Sequence, residues 1–306
     1  MASTPNLIMP GVAKCGTTTL HDVLVRHPEI CGGIRKEIRF LMDEHDPMRR
    51  ESSIRDGRID EWRKEFPDQM QGDFTYWLDA SPQYQYQKIA PKILGQINNR
   101  TRLLFVVRSP ADRLFSFYRY AKYHQRVIDD VGSFEEFIDA IRTPDDPRIA
   151  GKRMLANAWE DSKYDKMLDR WMEKCAAHPI WLTCLESIKQ DHEGEISALC
   201  RWLDIDPTPI IDMDGSQSNK TVHTRSAIVE KAGRKLAKYL PRTKIVGRLK
   251  KTVRSINSEA IVGDRKADNR DLLVQIDNEL APHTRRFNEM AEAIRPGFRP
   301  LDVRPA

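Results

Sequence analysis

The sequence predicts an α/β fold with a central, mainly parallel sheet flanked by helices, followed by a helical C-terminal region. Apolar runs of strand length alternate with helical patterns through the first two thirds of the chain, and glycine and proline residues separate them. Since no repeat or Gly/Ser linker divides the 306 residues, we expect a single domain. Its α/β core covers about 6–205, and a lid loop and helical region cover about 213–306.

The first half of the core begins with a strand, a turn and a helix. Residues 6–12 form an apolar run, and residues 17–27 place Leu20, Val23 and Leu24 on one helical face before a proline. A short helix is predicted over 59–66, a short strand over 77–80 and a helix over 86–98.

The second half contains two runs that are apolar throughout, which is typical of strands buried on both faces of a parallel sheet. These runs are 103–107 and 180–185. A helix with Pro110 in its first turn should follow the first run and reach about Tyr123, and a helix over 188–203 should follow the second. From about Ser226 onward the pattern is helical and basic, without a convincing strand.

Composition excludes several classes of protein. Hydrophobic residues make up 40%, and 50 basic against 45 acidic residues give a net charge of +5, so the chain is neither disordered nor basic enough to indicate nucleic acid. No run approaches the ~20 apolar residues of a membrane span, and the N-terminus lacks signal-peptide features, so we expect a cytoplasmic protein. Five cysteines without C-x-x-C spacing argue against a disulfide framework and a zinc site.

A candidate phosphate-binding turn lies at residues 11–19, GVAKCGTTT, between a predicted strand and a predicted helix. Its G-x-x-x-x-G spacing fits a nucleotide loop, but Thr17 replaces the lysine of nucleotide triphosphatases and the cation is Lys14, inside the loop. Arg108 follows a strand where metal-dependent phosphoryl transferases usually present an Asp. These departures favour transfer of a sulfuryl group, whose lower charge lysine, hydroxyls and amides can stabilise without a divalent metal.

Four blocks of the chain carry a family resemblance: GVAKCGTTTL at 11–20, KEIRFL at 36–41, DASPQY at 79–84 and VRSPADRLFSFY at 107–118. They resemble, in this order, the 5′-phosphosulfate loop, the Lys/Glu-Glu-x-x-Phe-Phe segment, the Ser-Pro-x-Tyr block and the 3′-phosphate motif of one enzyme family. These are the sulfotransferases that use 3′-phosphoadenosine 5′-phosphosulfate (PAPS), particularly the branch acting on carbohydrates such as heparan sulfate. The likeness extends from residue 6 to about 205.

The resemblance implies a P-loop-like enzyme that transfers a sulfuryl group from PAPS to an acceptor hydroxyl, without a metal, and releases 3′-phosphoadenosine 5′-phosphate (PAP). It implies that Lys14 holds the 5′-phosphosulfate and offsets charge on the leaving oxygen, that Arg108 and Ser116 bind the 3′-phosphate, and that Glu37 is the catalytic base. The further cofactor-binding residues are Cys15, Gly16, Thr17, Thr18, Ser81 and Lys220. The branch resembled favours a sugar or glycoconjugate acceptor.

One position departs from the family pattern, because many carbohydrate sulfotransferases have a lysine where this chain has Ala80. Either no second lysine assists, or another base such as Lys36 contributes, or the acceptor geometry differs. His21 and His223 are alternative bases, and Arg113 is alternatively a salt-bridge partner within its motif.

Two rival functions stay open from the residues alone. A nucleotide kinase-like phosphoryl transferase would depend on magnesium, and a non-enzymatic polyanion-binding module would use the basic tail. Residues 241–258 carry six Lys and Arg and no acid, with apolar residues at helical spacing. This pattern fits a helix solvated on one face, an anionic acceptor groove, or a membrane surface that holds a lipid-linked acceptor.

Overall fold

The computed structural model describes residues 4–67, 74–97, 101–211 and 265–304, together with the backbone of 223–224 and 258–259. Five parallel strands form the main sheet: β1 Leu7–Gly11, β2 Ile30–Gly32, β3 Tyr76–Asp79, β4 Arg102–Val107 and β5 Ile180–Cys184. Their order across the sheet is β2-β3-β1-β4-β5. The predicted parallel α/β architecture is confirmed.

Strand β1 lies at the centre of this sheet. Its Leu7 pairs with Leu78 of β3 on one side and with Arg102 of β4 on the other. The chain first fills the side that holds β2 and β3 and then crosses to β4 and β5, so the strand order reverses at β1. In open α/β sheets, ligands bind at the carboxyl ends of the strands where the order reverses.

Ten α-helices occur in the described residues. They are α1 Thr17–Leu24, α2 Ile89–Gln96, α3 Pro110–Arg119, α4 Phe134–Arg142, α5 Arg153–Ala156, α6 Tyr164–Cys175, α7 Leu185–Gln190, α8 His192–Leu203, α9 Thr208–Ile211 and α10 Arg270–Ile294. Short 3₁₀-helices lie at Ile59–Glu65, Pro82–Tyr86, Glu160–Ser162 and Ala267–Asn269, and a π-helix, Tyr120–Gln125, continues α3. No described helix is both long enough and apolar enough to span a membrane.

The helices differ from their predictions mainly at their ends. The helix predicted over 188–203 is two helices, because the side chain of Asp191 accepts a hydrogen bond from the Gly194 amide (2.9 Å) and starts α8 anew. The helix predicted from residue 86 begins at Ile89, since a 3₁₀ turn precedes it, and its predicted last residue lies outside the described residues. The helix predicted over 59–66 is a 3₁₀-helix.

The chain divides into two compact units. The first unit, residues 1–113, 160–218 and 276–306, contains the five-stranded sheet. The second unit, residues 114–159 and 219–275, contains α4 and α5, and a two-residue antiparallel pairing of β6 His223–Thr224 with β7 Ser258–Glu259. The expectation that no strand lies beyond Ser226 is therefore wrong at β7, while the single-domain assignment stays a prediction.

Candidate functional site

A tight turn joins β1 to α1 and carries the predicted phosphate-binding residues. Lys14 and Gly16 both have left-handed backbone conformations, with φ of 73° and 93°, and Gly16 is the N-cap of α1. A Cβ at position 16 would lie 2.6 Å from Cδ1 of Leu185, in a conformation that residues with side chains rarely adopt. The turn therefore requires glycine where the helix starts.

The first turn of α1 supplies main-chain donors at this point. Leu20 makes the first helical hydrogen bond, to the Gly16 carbonyl (3.2 Å). Helix geometry leaves the preceding amides, including those of Gly16, Thr17 and Thr18, without an intrahelical carbonyl, and the helix dipole makes the region electropositive. These amides fit an anionic group such as a phosphosulfate.

Arg113 holds this turn from the protein interior. Its fully buried guanidinium donates hydrogen bonds to the Ala13 carbonyl (3.2 Å), to Oγ of Ser162 (2.8 Å) and to the hydroxyl of Tyr86 (3.0 Å). The motif that contains Arg108 thus fixes the shape of the turn through its second arginine.

The side chain of Cys15 faces the core, where its Sγ lies 3.7 Å from the Tyr164 hydroxyl. Burial raises the pKa of this thiol to about 11, so it is uncharged at neutral pH. The main-chain amide of Cys15 donates to the Val12 carbonyl (3.2 Å) within the turn, so the predicted contact of Cys15 with the cofactor stays a prediction.

Lys14 lies close to three other charged side chains. Burial lowers the pKa of its ammonium to about 8; Arg108 and Lys36 act in the same direction, while Cys15 and Glu37 oppose them. The structure thus brings Lys14, Arg108 and Glu37 into one electrostatic neighbourhood, although 94 positions separate the two cations in the chain. A bound anion would compensate the positive charge that accumulates there.

Arg108 directly follows β4, so it lies at the same edge of the sheet as the turn after β1. Its side chain is only 18% exposed, and its ion pairs with Asp112 (3.8 Å) and Glu186 (3.9 Å) are long. Its buried Nε has no hydrogen-bond partner. Asp112 also pairs with Arg304 at 2.5 Å. A guanidinium compensated this weakly is suited to bind an anion.

Glu37 is held by three side chains. Its Oε2 accepts hydrogen bonds from Arg39 (2.6 Å) and from Nε2 of Gln83 (2.8 Å), and its Oε1 lies 3.7 Å from Nζ of Lys36. Burial by itself would raise the pKa of this carboxyl group, but Lys36, Arg39 and Gln83 together lower it below its usual value. Glu37 is therefore an ionised carboxylate at neutral pH, which is the form that can accept a proton.

Three predicted residues are less directly connected with this neighbourhood. The buried hydroxyl of Ser81 donates to Asp79 (2.5 Å) and accepts from the Arg39 amide (2.9 Å), so it supports the segment next to Glu37, and its contact with nucleotide stays a prediction. Ser116 is a partly exposed residue of α3, in the second unit. Lys220 lies outside the described residues, as does almost all of the basic segment 241–258.

The alternative base His21 is buried next to Asp22, whose Oδ1 lies 3.0 Å from its Nδ1. Burial lowers the pKa of this histidine below its usual value. The side chain of His223 lies outside the described residues. The contacts of Gln83 and Arg39 with Glu37 were not predicted, although both residues belong to blocks that the sequence singled out.

A family model described as "Sulfotransferase domain" matches residues 90–268, which is more than half of the chain. The chain belongs to the sulfotransferase family. The match includes Arg108 and Ser116 but begins after the Lys14 turn and after Glu37. In this sulfotransferase, the evidence for the Lys14 turn and for Glu37 as the base candidate therefore comes from the four sequence blocks and from the structure.

Relatives named "Bifunctional heparan sulfate N-deacetylase/N-sulfotransferase" are similar to part of the chain. Number 3 from Homo sapiens is 28% identical over 172 residues, which are 55% of this chain and 18% of the relative. Number 4 from Mus musculus is 23% identical over 211 residues, 66% of this chain and 22% of the relative. This sulfotransferase spans about a fifth of the length of these relatives.

A solved structure titled "Crystal Structure of Sulfotransferase from Alicyclobacillus acidocaldarius" has the same fold. The TM-score is 0.56 at 21% identity, over 76% of this chain and 91% of that chain. At this identity the similarity supports the fold alone, and it agrees with the parallel sheet described above.

Proposed function

We propose that this sulfotransferase transfers a sulfuryl group from PAPS to an acceptor on a carbohydrate or glycoconjugate by in-line displacement, with release of PAP. The observation that carries the proposal is the common neighbourhood of Lys14, Glu37 and Arg108, at the sheet edge where the strand order reverses. Family membership favours sulfuryl over phosphoryl transfer. The names of the relatives favour a carbohydrate acceptor. They also make an amino group a candidate for the accepting group, in addition to a hydroxyl.

The residues at this edge fit the two ends of a PAPS molecule. Lys14 and the first-turn amides of α1 would hold the 5′-phosphosulfate, and Arg108 would bind the 3′-phosphate. The Nε of Arg108 has no hydrogen-bond partner and only a long ion pair with Glu186 (3.9 Å), which leaves this guanidinium suited to an anionic ligand. When bound, PAPS supplies the sulfuryl group that is transferred.

Glu37 and Lys14 have different roles in the proposed transfer. Glu37 accepts the proton of the acceptor while the acceptor oxygen or nitrogen forms its bond to sulfur. Lys14 stabilises the negative charge that develops on the bridging oxygen as the old sulfur–oxygen bond breaks. Because the pKa of Glu37 is low, the carboxyl group then returns its proton readily to water.

A direct transfer assay tests the proposal. The purified chain is incubated with PAPS and glucosamine-containing oligosaccharides, with either free or acetylated amino groups, and PAP release is measured in the presence of EDTA. We expect PAP release that depends on the acceptor, and the acetylated substrate distinguishes transfer to a hydroxyl from transfer to an amine. Turnover only with ATP and magnesium would instead establish phosphoryl transfer.

The cytoplasmic location also stays a prediction.

Lys14 should make PAP binding dependent on pH. Its pKa of about 8 means that the free ammonium is charged below pH 8 and neutral above it, whereas bound phosphate favours the charged form. Binding above pH 8 therefore takes up a proton, and we expect Kd to rise up to about tenfold per pH unit between about pH 8 and 9.5.

Calorimetric titration with PAP across this pH range measures the effect, and Lys14→Arg is the matched control. Arginine stays charged throughout, so its Kd should be flat over the same range. An equal slope in Lys14→Arg would assign the titration to another group. Lys36 would then be the next candidate, because burial lowers its pKa as well.

A further inference from the structure

Asp79 is a buried carboxylate at the end of β3 that the mechanism above does not use. It accepts three hydrogen bonds: from Nε1 of Trp62 (3.0 Å), from Oγ of Ser81 (2.5 Å) and from the hydroxyl of Tyr84 (2.7 Å). Burial raises its pKa to about 6, and the three donors keep that rise small enough for Asp79 to be ionised at neutral pH.

Two of these donors connect Asp79 to the segment 39–41. Oγ of Ser81 accepts a hydrogen bond from the amide of Arg39 (2.9 Å). The Tyr84 hydroxyl accepts hydrogen bonds from the amides of Phe40 (2.8 Å) and Leu41 (3.2 Å). A hydroxyl has a single proton. Because Asp79 accepts that proton from both hydroxyls, their lone pairs face the main chain, and Asp79 thereby orients three consecutive amide contacts.

The segment 39–41, which these hydrogen bonds hold, contains Arg39, one of the residues that bind Glu37. Arg39 has a left-handed backbone, with φ of 60°, and its guanidinium lies 2.6 Å from Oε2 of Glu37. Gln83, which stands between Ser81 and Tyr84, donates Nε2 to the same oxygen. A carboxylate only accepts hydrogen bonds, so the amide nitrogen of Gln83 must be the atom that faces it. The block 79–84 therefore reaches Glu37 by two routes, one through the backbone and one directly.

We propose that Asp79 is a positioning residue for the base. Through Ser81 and Tyr84 it fixes the backbone of residues 39–41, and so determines where Arg39 holds the carboxylate of Glu37. This inference rests on the proposed function, because it takes Glu37 to be the base. It concerns the placement of the base and not nucleotide binding, since none of the Asp79 contacts described here involves Lys14 or Arg108.

A double-mutant cycle between Asp79→Asn and Glu37→Gln tests the proposal. The asparagine amide has one acceptor oxygen, so its NH2 group would face one of the two hydroxyls, and that hydroxyl would lose the acceptor that fixes the direction of its proton. In the wild-type background, we expect Asp79→Asn to lower kcat about tenfold or more, because small displacements of catalytic groups are costly. The Kd for PAP should change by less than about twofold.

In the Glu37→Gln background the same substitution should lower kcat by less than about twofold, because the placement of a missing base no longer matters. An Asp79 that acts only on stability would lower kcat by the same factor in both backgrounds. That result would overturn the proposal, as would an unchanged kcat in the single variant. Full activity of Glu37→Gln would instead refute the base assignment and with it the inference.

Two further variants keep the test decisive. Tyr84→Phe removes only the hydroxyl that accepts two amides, and it should reproduce the pattern if Asp79→Asn does not fold. Asp146→Asn is the matched control, because Asp146 is also buried but accepts from the amide and the guanidinium of Arg148. Its kcat should stay within about twofold of wild type, and an equal loss in this control would overturn the specific role of Asp79.

Discussion

Replacing Arg108 by alanine is expected to abolish the discrimination between PAP and adenosine 5′-phosphate. The two ligands differ only in the 3′-phosphate, which the proposed arrangement assigns to this guanidinium. A hydrogen bond to a charged group contributes about 1.5–3 kcal/mol, so wild type should bind PAP about 10- to 100-fold more tightly than adenosine 5′-phosphate. In Arg108→Ala the two dissociation constants should become similar.

Calorimetry with both ligands on both proteins measures this ratio, and Arg102→Ala is the matched control. Arg102 begins β4, the strand that Arg108 follows, and its guanidinium lies over Trp202 (5.1 Å) and Tyr76 (5.6 Å). The control loses the same charge at the other end of the strand, so its ligand ratio should equal that of wild type. Equal affinities in wild type itself would show that the 3′-phosphate is not recognised.

Glu37→Gln is expected to lower the rate of transfer about 10²-fold or more, the scale of lost general-base catalysis. Glutamine has nearly the same shape and still accepts a hydrogen bond from Arg39, but it cannot take a proton from the acceptor. The affinity for PAP should stay close to that of wild type, because Lys14 and Arg108 are unchanged.

The measurement compares kcat at saturating PAPS with the Kd for PAP, and Glu61→Gln is the control. Glu61 belongs to a surface cluster, pairing with Arg58 (3.0 Å) and Lys64 (3.4 Å), and the control makes the same chemical change without touching the candidate base. If Glu37→Gln keeps full activity, Glu37 is not the base. Lys36 and His21 would then be the remaining candidates in the described part of the site.

The sequence predicts β1, β4 and β5 well because strands buried on both faces are apolar along their whole length. Strand β2 was missed, because the three residues of Ile30–Gly32 are too few to show a periodic pattern. The break at Asp191 was missed for a different reason. Apolar residues continue across it, and the cap that ends the pattern is a single side-chain contact.

The two cations of the site could be predicted because each closely follows a strand, and parallel neighbours end at one edge of a sheet. The surroundings of Glu37 could not, since they depend on a left-handed Arg39 and on a contact with Gln83, 46 positions away. The motif at Ser81 does not reveal that its hydroxyl lies in a buried network with Asp79, and its contact with nucleotide stays a prediction.

The position of β1 has a consequence for how the protein is made. Among the five strands of the sheet it is synthesised first, yet both strands that flank it, β3 and β4, are synthesised more than 60 residues later. The turn after it is tied down by the Val12 amide, which donates to the carbonyl of Val106 (2.9 Å). A nascent chain therefore cannot fix this turn until the end of β4 has emerged, and until then a strand that is buried along its whole length lacks both neighbours.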